Sequence, residues 1–263
     1  MTRRGQAAVL VTALAALAAI VCAAEPARGQ EPAAAFEAAN EAYAAGDFAT
    51  AVAGYRALLA TGHDHAMLYY NLGNAHLRRG EIGHAIASLR RAAAAAPRNP
   101  DVRANLAFAR KNARDALAPP EPSAVTRTVF AWHHAFSRDE LWLAAGVLSA
   151  MLWTLLACRL WRRHEAPRRR EGLAWAAAAT AVLLAASAGS LTVHAIAPLR
   201  VAVVLPGEVD ARSGTREDSV VRFKLHAGSE VRLREERDGW LRITLPDGEQ
   251  GWIEADAAEV VEL

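Results

Sequence analysis

Two uncharged runs, residues 141–158 and 172–199, stand either side of a short segment that carries five arginines within residues 162–170. The first run is 18 residues long, and the second has His194 as its one ionisable side chain. At about 1.5 Å per helical residue, such lengths cross a hydrocarbon layer of about 30 Å. Burying both runs inside a soluble protein needs a third apolar layer, and the rest of the chain supplies none. A membrane hairpin is therefore expected, with spans at 141–161 and 172–197. Trp142 and Trp161 bracket the first span and Trp175 opens the second, where an apolar ring with a polar N–H suits the headgroup level. Short arginine-rich loops stay cytoplasmic, so residues 162–171 face inward and both flanking regions face outward.

The first residues agree with that orientation. Met-Thr-Arg-Arg precedes an apolar stretch at 7–24, the order of a secretory signal peptide over residues 1–24, with small residues before Glu25. Lipidation at Cys22 and an uncleaved anchor are the two alternatives. Each of them leaves residue 25 onward outside. The two cysteines, Cys22 and Cys158, build no disulfide framework and no thiolate metal site.

A net charge of +2 with no one-signed surface argues against nucleic acid as a partner. Phosphate loops, H-E-x-x-H and G-x-S-x-G motifs are missing, and no thiol nucleophile lies outside the spans, so the chain is expected not to be an enzyme and to need no cofactor. His63, Asp64 and His65 form too small a set for a metal site and read as a solvated turn. His133 and His134 beside Trp132 read as interfacial.

Between the signal and the first span, the chain repeats itself at an offset of 34 residues. Gly46 aligns with Gly80, Asp47 with Glu81, Ala51 with Ala85, Tyr55 with Leu89 and Asn40 with Asn74, and Asn71-Leu72-Gly73 aligns with Asn105-Leu106-Ala107. Small residues at Gly73 and Ala85 allow two helices to approach closely, Gly80 permits the turn between them, and Pro97 stops the second. A single hairpin of this kind leaves an apolar face uncovered, so stacking is required. The repeat, with Tyr69, Leu72, Gly73, Ala85, Leu89, Ala92 and Pro97 at its spacing, resembles the tetratricopeptide repeat (TPR). Residues 33–117 are then expected to form an all-α TPR solenoid of two helical pairs and a closing helix over LAFARKNARDAL.

The resemblance implies a peptide groove. Its groove-facing positions carry Asn40 and Asn74, whose amides offer donors and an acceptor to an extended backbone. Tyr70 and Arg78 are expected near them and Lys111 on the closing helix, while Phe108 breaks the ladder. The alternative is a spacer whose asparagines are ordinary helix surface.

Residues 118–140 begin with APPEPSAVT and read as a linker with an interfacial aromatic stretch. The tail, 200–263, changes to alternating apolar and polar residues with turn signals at Ala227-Gly228, Asp238-Gly239 and Asp247-Gly248. Its run of Ala211-Arg212-Ser213-Gly214, Leu225-His226-Ala227-Gly228, Gly239-Trp240 and Gly251-Trp252-Ile253 resembles a bacterial SH3 domain, an all-β SH3-like barrel. Trp252 is expected near the barrel core and Trp240 at the surface, with Gly251 required for a close turn.

The fold class is thus multidomain: TPR solenoid, two transmembrane helices and an SH3-like barrel. That order is similar to the BatE-type proteins of the Bacteroides aerotolerance operon. The resemblance implies an inner-membrane scaffold with both soluble domains periplasmic, bound to von Willebrand A-domain membrane proteins and linked to a MoxR-type AAA ATPase. The competing reading is a sensor whose SH3-like domain binds peptidoglycan.

Overall fold

The computed structural model describes residues 30–115, 135–162, 167–196 and 200–262. The signal segment, linker residues 118–134 and loop residues 163–166 lie outside the described residues.

Five helices come first: α1 Gln30–Ala44, α2 Phe48–Ala60, α3 Ala66–Arg78, α4 Ile82–Ala95 and α5 Pro100–Lys111. Gly46 and Gly80 close the α1–α2 and α3–α4 turns at φ +82° and +77°, a region that glycine enters at little cost. The residue after each glycine is the next helix's N-cap. Asp47 accepts from the Thr50 amide at 3.0 Å, whereas Glu81 makes no cap bond and is held by Arg79 and His76. Gly73 lies against α4 so tightly that a Cβ there would meet Leu89 Cγ at 2.7 Å.

The closing helix begins earlier than LAFARKNARDAL suggests and ends at Lys111. Asn99 caps it through the Asp101 and Val102 amides, and Pro100 stands at the first helical position, where its missing N–H costs nothing. Its buried face is Val102, Leu106 and Ala109.

Two long helices follow, α6 Arg138–Trp161 and α7 Pro167–Ile196. Ser137 and Glu140 cap α6 reciprocally. Pro167 starts α7 within the arginine-rich segment, so part of that segment is helical. Both helices are long and apolar enough to cross a membrane, and their apolar windows are only 6% and 22% buried. Core helices of a soluble protein would be mostly covered.

The tail forms seven antiparallel strands: β1 Arg200–Val204, β2 Glu208–Arg212, β3 Val221–His226, β4 Glu230–Arg237, β5 Trp240–Thr244, β6 Gln250–Glu254 and β7 Ala258–Glu262, with a 3-10 turn at Ala255–Ala257. Their order across the sheet is β3-β2-β6-β5-β4-β1-β7. Asp238 and Gly239, both at positive φ, make the tight β4–β5 turn. Bulges at Ala211/Arg212 and Leu233/Glu235 curve the sheet around a core of Leu225, Val231, Leu233, Leu241, Ile243 and Ile253.

Strand β1 is buried on both faces. Ala202 and Val204 point into the barrel, while Val201 and Val203, with Val261 of β7, pack against Ile86, Ala87, Leu89, Leu106 and Ala109 of the helices. The helical stack and the barrel therefore share a core. Gly83 of α4 makes this contact possible, because a Cβ there would fall 2.4 Å from the Val204 carbonyl oxygen.

Candidate functional site

The odd-numbered helices place their asparagines in contact. The Tyr55 hydroxyl and Asn71 Nδ2 donate to Asn40 Oδ1 at 2.7 and 3.0 Å. One repeat on, Asn105 Nδ2 donates to Asn74 Oδ1 at 2.7 Å and to the Tyr70 hydroxyl at 3.1 Å. Each bond consumes one half of each amide. Asn40 Nδ2, Asn74 Nδ2, Asn71 Oδ1 and Asn105 Oδ1 make no hydrogen bond to a described residue, so donors and acceptors remain available along α1, α3 and α5.

Tyr70, expected beside Asn74, is half-buried and joined to it through Asn105. Arg78 lies one turn past Asn74 on α3, and its guanidinium stands 4.7 Å from the centre of the Phe48 ring on α2. Lys111 is exposed at the end of α5, as is Phe108 one turn earlier. The groove-facing repeat positions point to Asn40 and Asn74 alone, although the 34-residue offset that pairs them also pairs Asn71 with Asn105.

His65 of the turn caps α3 through the Leu68 amide, and the His63 ring meets the Thr61 hydroxyl at 2.9 Å. Among the described residues, no three metal-ligating side chains cluster.

A second polar array joins helices to barrel. Glu230 is 1% exposed and is bound by two guanidinia, Arg90 from α4 and Arg110 from α5, the latter at 2.6 and 3.1 Å. Burial lowers the Arg90 pKa, Glu230 opposes that shift and the neighbouring Arg110 adds to it. Arg91 binds Glu259 of β7 and donates to the Val260 carbonyl at 3.0 Å. Burial alone would raise the Glu259 carboxyl, but His84 and Arg91 overcome it and pull the pKa down to about 2.

Asp115, just past α5, reaches β3 and the turn after it. It accepts from the His226 amide at 2.7 Å, the His226 ring at 2.9 Å and the Ser229 hydroxyl at 2.7 Å. These bonds outweigh burial and lower the Asp115 pKa. A serine, a histidine and an aspartate thus meet, but the buried Ser229 hydroxyl faces Asp115, not the imidazole, and the geometry is that of a fastener between units rather than a nucleophile relay.

On the barrel, Trp240 and Trp252 are both half-exposed, with Arg242 lying 6.0 Å from the Trp252 ring centre. Trp252 is therefore less buried than the sequence suggests, because it stands in β6 between inward-facing Gly251 and Ile253. Gly251 is a strand residue and not a turn residue. A Cβ there would meet Ala211 and Phe223 at 3.0 and 3.1 Å.

Residues 206–257 match the bacterial SH3 domain family. The match begins before β2 and ends at the 3-10 turn, so β1 and β7, the strands that dock on the helices, lie outside it. No curated protein matches the chain.

Proposed function

We propose that the chain is a non-enzymatic inner-membrane scaffold that holds a protein partner along the asparagine-bearing face of α1, α3 and α5, with the SH3-like barrel fastened behind it. The observation that carries this reading is the row of half-used amides at Asn40, Asn71, Asn74 and Asn105. A repeated donor and acceptor pair suits the backbone of an extended peptide, which presents the same two groups in every residue. The 34-residue offset supports a TPR stack.

The docking also bears on topology. A buried Arg90–Glu230–Arg110 cluster and a common apolar core tie residues on both sides of the α6–α7 hairpin. Two domains so joined occupy one side of a membrane, and the arginines at the hairpin tip make that side the periplasm. The resemblance to BatE-type proteins suggests membrane-anchored von Willebrand A-domain proteins as partners.

The bacterial SH3 match and the half-exposed Trp240 favour a second reading, peptidoglycan binding by the barrel. Crosslinking in cells followed by mass spectrometry separates the two. The scaffold reading expects a von Willebrand A-domain protein captured by the wild type and lost in Asn40→Ala/Asn74→Ala, with an unchanged fold by circular dichroism. Wall fragments captured equally by both chains would overturn it in favour of the barrel.

A further inference from the structure

A cavity of about 870 Å3 opens where the folded head meets the ends of the two apolar helices. The end of α4, α5 and β7 wall it above, Phe136 to Asp139 at the start of α6 and Ala195 near the end of α7 below. Its size is that of a small-molecule site. Ala93, Ala94, Leu106 and Val260 give it apolar walls.

The charges on those walls are distinctive. Arg90 and Arg110 both line it, and they share the single carboxylate of Glu230, which leaves one guanidinium charge in excess there. Arg138, exposed, also lines it and makes no ion pair with a described residue. Asp64 and Asp139 line it too. The remaining charges are matched elsewhere: Arg91 binds Glu259, and Glu262 lies 3.3 Å from Arg200, an ion pair without hydrogen-bond alignment. Three guanidinia and two otherwise unmatched carboxylates thus line the cavity, and the buried Glu230, outside the lining, balances the third cation. A cavity that is neutral in sum but carries separate positive and negative groups favours a zwitterion over a simple anion.

We propose that this juxtamembrane cavity binds the headgroup of a zwitterionic phospholipid, phosphoethanolamine, its phosphate on Arg110 and Arg138 and its ammonium on Asp64 and Asp139. The guanidinium fork of Arg138 matches two phosphate oxygens, Arg110, whose Nε and Nη2 are held by Glu230, adds its remaining Nη1 donor, and a carboxylate accepts the ammonium hydrogens. The acyl chains then run down beside α6 and α7, and this inference rests on the reading of those helices as membrane spans.

The test uses the full chain, extracted in mild detergent from bilayers containing phosphatidylethanolamine and phosphatidylglycerol, with retained lipid counted by native mass spectrometry. The wild type is expected to retain phosphatidylethanolamine, and Arg138→Gln to retain at least tenfold less at an unchanged melting temperature. Asp139→Asn should lose the preference for phosphatidylethanolamine over phosphatidylglycerol. Equal retention by wild type and Arg138→Gln overturns the site. So does displacement of the lipid by millimolar inorganic phosphate, which would mark a soluble-phosphate site. A chain that never partitions into bilayers fails at the earlier step, the membrane reading, and is recognised by flotation before any lipid is counted.

Discussion

Glu230 shows how much one side chain holds in place. It is the buried carboxylate between two guanidinia, and truncating it strands Arg90, 8% exposed, in a region of low polarity, while Arg110 keeps access to solvent. Loss of one partner from such a cluster costs about 3–5 kcal/mol. Glu230→Ala is therefore expected to lower stability by that amount in urea titration, whereas Glu208→Ala, which removes an exposed, solvent-screened pair with Lys224, should leave the urea midpoint almost unchanged. Gly83 and Gly73 test close approach without charge. Alanine at Gly73 drives a methyl into Cγ of the fully buried Leu89, which must repack, and about 1–3 kcal/mol is expected. Alanine at Gly83 meets backbone atoms of Val204 and Leu205, which cannot give way without moving β1, so the docking itself should loosen. Increased amide exchange in β1 and α4 would register it.

At the scale of elements, the helical hairpins follow from their local chemistry. Gly46 and Gly80, the caps that follow them, and the small residues at Gly73 and Ala85 are all legible as a 34-residue echo, because each acts on neighbours a few positions away. The same holds for the β4–β5 turn at Asp238-Gly239. The start of α5 shows where periodicity alone falls short: the apolar pattern points to Leu106 onward, but Asn99 and Pro100 set the first turn. Replacing Asn99 with alanine is expected to remove about 0.5–2 kcal/mol, read as a lower melting temperature. The candidate peptide face was half legible. Asn40 and Asn74 follow from the repeat, but their bonds to Asn71 and Asn105 cross between helices 31 residues apart in sequence, and no local pattern announces them. The contact of Arg78 with Phe48 in the preceding hairpin is likewise non-local.

The whole molecule is organised by contacts of still longer range. Arg90 and Glu230 are separated by 140 positions and Asp115 and His226 by 111, with the two long helices between them. Nothing in either local sequence signals that pairing, which is why the docking of barrel on helices was invisible until the fold brought them together. It has a pH signature. Asp115 and Glu259 both titrate below their ordinary values in the folded state, so the unfolded chain holds more protons in acid. The stability that Glu259 contributes is complete above about pH 4.5 and drains away as pH falls toward about 2, and that of Asp115 is likewise lost on the acid side of its ordinary value. Urea titrations of the full chain between pH 7 and 3 should show the loss, and Asp115→Asn should flatten part of it. A barrel cut free as residues 200–262 would expose Val201, Val203 and Val261, each side chain worth about 1.5–3 kcal/mol when covered, and is expected to self-associate in sedimentation at micromolar concentration.

Strands β1 and β7 also impose a schedule on biogenesis. A chain threaded into a membrane from its N terminus delivers α1 to α5 first, then the hairpin of α6 and α7, and only last the strands that cover Ile86 and Leu106. During that interval the helical stack waits with an apolar flank and Arg90 unclaimed. Under the membrane reading proposed above, maturation of the head would be clocked by insertion of the hairpin, and a chain stalled before its final strands would present to the quality-control machinery the very surface that the finished protein hides.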